Sequence, residues 1–320
     1  MKYISLFAAI FFTGITSVFG FGHEGHQAIA DIARSRLNPA ARAAVIRILG
    51  SDDLASVATW LDDVRSAGRN RGNMKGSEEA VAFNHRFPAS ANWHFVNFPV
   101  GSAEYDERSQ FASDKDVVHA IDLAIRTLEG AAAGLTPLEA LKVLVHCVGD
   151  VHQPLHCVSG YYDISNPSSP RLLPPDHFSL STPTDAGGNA LFYSKSQNLH
   201  ELFDTTLLRR VLTGTGYKKL GEAAVQREAP HHSVTPGDYH RWSALWATEG
   251  VRLGTDAYQG LTFNLAETSP GRGGVPRLHR IEITLSAGYE AREAVVIARQ
   301  IGEAGLRLAE LLNSLHWSEP

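Results

Sequence analysis

Residues 136–157 read TPLEALKVLVHCVGDVHQPLHC. Thr136 and Glu139 form a capping box, with Pro137 at the first helical position. The helix that starts there is apolar on nearly every side, which predicts that it is buried. It nevertheless carries His146 and Asp150, four residues apart and so on one face. A buried carboxylate is costly unless it is paired or bound to a metal ion. Read alone, an ordinary hydrogen-bonded His–Asp pair explains this one. Pro154 then breaks the helix, which frees His156 to turn in a direction the helix would not allow.

Helical periodicity extends to both sides of this stretch. Residues 26–37 place Ile29, Ile32, Ala33 and Leu37 together, and Asn38-Pro39 stops the run. Residues 39–49, 53–66, 114–133, 198–212 and a long run from about 283 to 314 read the same way, with little strand alternation. The class is therefore all-α. Residues 160–183, rich in Pro and Ser, read as an extended loop inserted into the domain. With no long linker and no internal repeat, residues 21–320 are expected to form a single domain.

Residues 1–20 have a charged start at Lys2, an apolar middle, and Val18 and Gly20 at the −3 and −1 positions of a cut before Phe21. That is the pattern of a signal peptide, too short at its apolar core for a transmembrane anchor. The mature protein is expected to be periplasmic or secreted, without a membrane anchor, and monomeric. The formal net charge is −5, and removing residues 1–20 takes away one lysine and leaves −6. Passive binding to a phosphate backbone is driven by Lys and Arg. An acidic protein that handles a polyanion therefore needs bound cations to supply the positive field. Cys147 and Cys157 could pair, although spacing alone does not establish it. Few cysteines and no N-x-S/T sequon lean toward a bacterial exported protein.

The chain has 15 histidines. The His–Asp spacing of the central helix returns at His200 and Asp204, again on an apolar helical segment. Asp62 in TWLDDVR and His94 in NWHFVNFP add a carboxylate and an imidazole in apolar settings. Neutral imidazole with carboxylate is the ligand set of a zinc site with open positions. These side chains are too many for one ion and suit a cluster. At residues 21–33, FGHEGHQAIADIA, the chain nearly spells H-E-x-x-H, but Gln27 stands where the second histidine belongs.

FGHEGHQAIADIA, ATWLDDVR, WHFVNFP, LVHCVGDVHQPLH, DAGGN, NLHELFD and EAGLRLAELLN occur in the order found in the S1/P1 nucleases. The sequence resembles that family over nearly its whole mature length. The family shares its fold with zinc-dependent phospholipase C. The resemblance implies three zinc ions. Asp62, His94 and His146 match the ligands of one ion, and Asp150 matches the bridge to a second. His26 and the α-amino and carbonyl groups of Phe21 match the rest of that second site. His156, His200 and Asp204 match the ligands of the third. Arg65 matches a substrate-side arginine, and Phe95 an aromatic residue that stacks on a base. Asn97 stands where fungal members carry an aspartate that contacts the base. Asn189 of DAGGN is a further candidate for substrate contact.

The implied activity is hydrolysis of single-stranded DNA and RNA to 5′-phosphorylated products, with 3′-nucleotidase activity on nucleotides. A zinc-bridged hydroxide would be the nucleophile, in a centre that includes Asp62, Arg65 and Asp150. The alternative within the fold is a phospholipase C, whose third site ends in a glutamate where this chain has Asp204. A different class, a zinc-storage protein, would need neither Phe95 nor Arg65. His119 and Asp122 imitate a ligand pair but lie on another helix. His23, Glu24, Asp63, His152, His231, His232, His240, His279 and His316 are expected not to be ligands.

Overall fold

A computed structural model describes residues 21–179, 181–211, 216–270 and 277–318. The expected signal peptide lies outside the described residues, as does position 180 of the expected loop insertion. The chain runs α1 (Gly22–Ser35), α2 (Pro39–Leu49), α3 (Trp60–Gly68) and α4 (Glu78–Arg86), then β1 (Phe98–Pro99), α5 (Val117–Leu128) and α6 (Pro137–Val151). There follow α7 (Pro154–Cys157), β2 (Val158–Ser159), β3 (Tyr162–Asp163), β4 (Arg171–Leu172) and β5 (Leu191–Phe192). The last elements are α8 (Leu199–Glu201), α9 (Leu207–Val211), α10 (Tyr217–Glu228), α11 (Trp242–Ala257), β6 (Leu261–Ser269), β7 (Arg277–Leu285) and α12 (Tyr289–Ser314). Helix dominates, as the periodicity predicts.

The apolar helix α6 is the axis of the fold. Its capping box forms in both directions, with Thr136 Oγ1 accepting from Glu139 N–H and the Glu139 carboxylate accepting from Thr136 N–H. From Val143 to Val151 every residue is buried. Helices α1, α2, α3, α5, α11 and α12 all pack against it. A helix enclosed on all sides can keep polar groups only if they face one another, which is why its histidine and aspartate meet partners from other helices.

Three readings of the sequence are refined. The segment 53–66 is not one helix: a 3-10 turn at Leu54–Val57 precedes α3. The segment 198–212 contains a π-helical stretch, Leu202–Thr206, between α8 and α9. The helix expected from about residue 283 begins at Tyr289, because the residues before it form β7. β7 pairs antiparallel with β6 and parallel with β5. Ile281 and Leu285 are four apart, so their spacing fits a helix, while Ile281 and Ile283 alternate as a strand requires; in so short a run the period is ambiguous. Within residues 160–183, β3 and β4 pair antiparallel. Both cysteines are buried and unpaired, their thiols donating to the carbonyls of Trp93 and Val151. Among the described residues, no helix is long and apolar enough to cross a membrane.

Candidate metal centre and its pocket

Three groups of side chains, each drawn from more than one element, place ligand atoms within 4.8 Å of one another: Asp62, His94 and His146; His26, His146 and Asp150; and His156, His200 and Asp204. All are buried. Helix α3 brings Asp62, the segment before β1 brings His94, α1 brings His26, and α6 brings His146 and Asp150. The break at Pro154 starts α7, which turns His156 into the centre. α8 and the π-helical stretch supply His200 and Asp204.

Asp150 is the hub. Its Oδ2 lies 2.9 Å from His94 Nδ1 and 3.0 Å from His146 Nε2. Its Oδ1 lies 3.4 Å from His26 Nε2 and 3.3 Å from His156 Nδ1. Elsewhere His200 Nε2 lies 3.4 Å from Asp204 Oδ2, and His94 Nδ1 lies 3.7 Å from Asp62 Oδ1. Ligand bonds near 2 Å in a tetrahedral site place donor atoms about 3.3 Å apart. The spacing therefore fits metal ions between the side chains.

The polar inventory gives the same result by a separate route. Both ring nitrogens of His26, both oxygens of Asp62, Oδ1 of Asp150 and Nε2 of His94, His156 and His200 are buried without hydrogen-bond partners. Buried polar groups in native proteins are almost always satisfied, so a cluster of orphans signals something that should sit among them. Meanwhile three histidines are oriented by backbone carbonyls: His146 Nδ1 donates to Ala58 O at 2.8 Å, His156 Nδ1 to His94 O at 2.6 Å and His200 Nδ1 to Gly187 O at 2.6 Å. This sets the tautomer and leaves the other nitrogen to a ligand, the usual support of metal-bound histidine.

Burial drives the protonation states apart. It lowers His26 to about 4 and His200 to about 3, keeping both neutral as ligands must be. Burial raises Asp62 to about 7, and pushes Asp204 well above the carboxylate range. Burial would also lower His146, but the Asp150 and Asp62 carboxylates outweigh it and raise the ring to about 9. Asp150 is held well below its ordinary range: the neighbouring His146 and His156 overcome its burial.

Phe21 is fully buried at the start of α1 and lines a cavity of about 240 Å³ together with Gly22, Asp204 and Thr205. A second cavity, of about 290 Å³, borders the centre; Arg65, Arg69, Phe95, Asn97 and Asn189 line it, beside His156 and His200. Nε and Nη1 of Arg65 are buried there without partners. Phe95 is only half-buried and faces this cavity. Asn97 adopts a left-handed φ of 54°, and its Oδ1 accepts from the Ser159 hydroxyl at 3.1 Å. Asn189 donates through Nδ2 to Ala186 O at 2.7 Å.

None of the residues expected to be bystanders enters the three groups among the described residues. Asp122 pairs with Arg126, and Glu24 with Arg209. His119 and His240 line a separate cavity of about 470 Å³. Several residues that shape the centre were not singled out from sequence. Gln153 donates from Nε2 to Asp204 Oδ1 at 2.6 Å. Gly149 leaves room for His26, since a Cβ there would lie 2.6 Å from the ring nitrogen Nδ1. Asp185 and Ser159 hold the turn that contacts His200. The motifs HCVGDVHQP and DAGGN contained three of these four, but nothing in their spacing assigns them a partner.

The family model described as S1/P1 Nuclease matches residues 21–316. Among curated proteins, the chain is 24% identical to Endonuclease 2 of Arabidopsis thaliana, over 93% of this chain and 91% of that protein. It is 25% identical to Nuclease P1 of Penicillium citrinum, over 93% of this chain and 99% of that one. It is 26% identical to Nuclease S1 of Aspergillus oryzae, over 73% of this chain and 69% of that one. With the match running through every segment that builds the centre, the chain belongs to the S1/P1 nuclease family.

Proposed function

We propose that this protein is an exported, zinc-dependent phosphodiesterase that cleaves single-stranded DNA and RNA to 5′-phosphorylated products and acts on 3′-nucleotides. The observation that carries this reading is the clustering of three His/Asp groups, with their orphaned donor atoms, beside a cavity that His156 and His200 share with an arginine and an aromatic ring. Asp62, His94 and His146 would hold one zinc ion; His26, Asp150 and the backbone of Phe21 a second; and His156, His200 and Asp204 a third. Asp150 would bridge the first two. Bound zinc supplies Lewis acidity, lowering the pKa of water toward neutrality and offsetting charge on the phosphate.

The chain's own residues do the rest. Arg65 offers its unpartnered Nε and Nη1 to phosphate oxygens, where a guanidinium can bind two at once. Phe95 presents a ring on which any base can stack, which tolerates sequence. Asn97 and Asn189 supply polar contacts along the same wall. The buried carbonyls of Ala58, His94 and Gly187 keep the imidazoles aimed, so little reorganisation accompanies reaction.

Export enters the chemistry through Phe21. Cleavage before it would free an α-amino group for the second ion, so maturation would complete that site. A chain with one extra residue before Phe21 should bind that ion less tightly; normal zinc stoichiometry and rate in such a chain would overturn this part. The whole reading is tested by measuring zinc content by mass spectrometry, then assaying heat-denatured DNA, RNA, 3′-AMP and phosphatidylcholine with and without chelator. Nuclease activity that disappears with zinc is expected. Activity on the lipid alone would make the protein a phospholipase C, and full nuclease activity after exhaustive zinc removal would end the metal mechanism.

A further inference from the structure

The buried carboxylate of Asp185 accepts four hydrogen bonds. Its Oδ1 accepts from Gly160 N–H and Gly188 N–H, both at 3.1 Å. Its Oδ2 accepts from Tyr162 Oη at 2.8 Å and Tyr258 Oη at 2.9 Å. Tyr162 lies in the inserted segment, and Tyr258 directly follows α11. Asp185 N–H also donates to Gly160 O at 3.1 Å, closing the base of the insertion.

What it holds is a turn that would not keep its shape unaided. Ala186, Gly187 and Gly188 have φ values of 53°, 68° and 80°, three left-handed residues in a row, the first of them not glycine. Gly187 is wedged tightly, because a Cβ there would lie 2.4 Å from Leu155 O. Its N–H donates to Ser159 Oγ at 2.9 Å, and its carbonyl accepts from His200 Nδ1 at 2.6 Å. The other two oriented histidines lean on different carbonyls, those of Ala58 and His94, which lie outside this turn.

We propose that Asp185 is a positioning residue for one ion of the centre, the ion between His156, His200 and Asp204. It acts by holding the Gly187 carbonyl against His200, and so governs the retention of that ion alone. The segment 160–183 thereby serves the centre through Tyr162. The inference rests on the zinc reading above, but its test reads metal and not catalysis.

The test is stepwise removal of zinc from purified mature protein by a graded chelator, with metal counted by mass spectrometry and thermal unfolding followed in parallel. In Asp185→Asn, one ion of three should leave at a chelator concentration about 10–100-fold lower than in the parent, the usual cost of losing such support. The other two should leave as before. Tyr258→Phe removes one donor of the four and should shift the same ion by less; it carries the test if Asp185→Asn does not fold. A variant that melts earlier but releases all ions at the parent's concentrations would make Asp185 merely structural. Release of all three together, or a parent that holds fewer than three, would also overturn the proposal. Failure of the nuclease assay alongside selective ion loss would refute the proposed substrate and leave this inference standing.

Discussion

Two clusters of acid and imidazole lie on either side of the end of α6, the first buried and the second only partly so, and they are built differently. The candidate metal centre holds Asp62, Asp150 and Asp204 among five histidines, with orphaned nitrogens and oxygens throughout. The second cluster holds Glu249, Glu303 and Glu310 with His152 and His232, and it has Arg307 inside it. The Arg307 guanidinium lies 2.7 Å from Glu249, donates to His152 Nε2 at 3.0 Å and reaches Glu303 at 3.5 Å. His232 bridges Glu303 and Glu310 at 2.7 and 3.0 Å, and Gln300 donates to Glu249 at 3.1 Å. Neighbouring residues face opposite ways: His152 touches Arg307, while Gln153 touches Asp204. A cluster that contains its own cation needs none from outside. One whose adjoining arginines, Arg65 and Arg69, form no ion pair with its carboxylates among the described residues is suited to a metal ion.

The largest expected break in this contrast comes from stripping metal. Exhaustive chelation should abolish nuclease activity, removing several kcal/mol of transition-state stabilisation, on the order of 10³-fold or more in rate. It should also lower the melting temperature, since binding to the native state alone stabilises it. Calorimetry and a single-strand cleavage assay with zinc added back would check both; an unchanged melting curve would mean that the orphaned groups hold no ion.

Arg307→Met should do the opposite. Leaving Glu249 and Glu303 without their cation should cost about 3 kcal/mol of stability, read by urea unfolding. Zinc content and rate per folded molecule should stay within about twofold of the parent; a lost ion would mean that the clusters are coupled.

Smaller again is Gln153→Met, which removes the donor to Asp204 Oδ1. Metal competition should then show one ion bound about tenfold more weakly, with stability nearly unchanged. Unaltered affinity would show that Asp204 needs no such support. Least of all, His232→Asn should cost about 1 kcal/mol in unfolding, the net worth of an ordinary hydrogen bond, and leave metal untouched. A larger loss would place His232 closer to the heart of its cluster than its contacts suggest.

Much of this was legible along the chain. The buried character of α6 followed from a surface that is apolar on nearly every side, and the shared faces of His146 with Asp150 and of His200 with Asp204 followed from spacing, while the division into three metal groups came only from the resemblance to the family. What escaped has a common cause. Gln153, Ser159 and Asp185 act through hydrogen bonds that reach residues 51, 28 and 73 positions away, and no periodicity records such contacts. The hairpin of β6 and β7 escaped because a half-exposed strand with apolar residues two and four apart also satisfies a helix.

Two pairs with one spacing mark the boundary. The sequence by itself determined that His146 and Asp150, and His200 and Asp204, share a helical face, because four residues make about one turn. It could not determine their charge. Tertiary packing surrounds Asp150 with histidines that hold it ionised, and sets Asp204 where burial favours its proton. Local geometry depends on neighbours in the chain, whereas the field at a buried carboxylate depends on every charge that folding brings within a few ångströms.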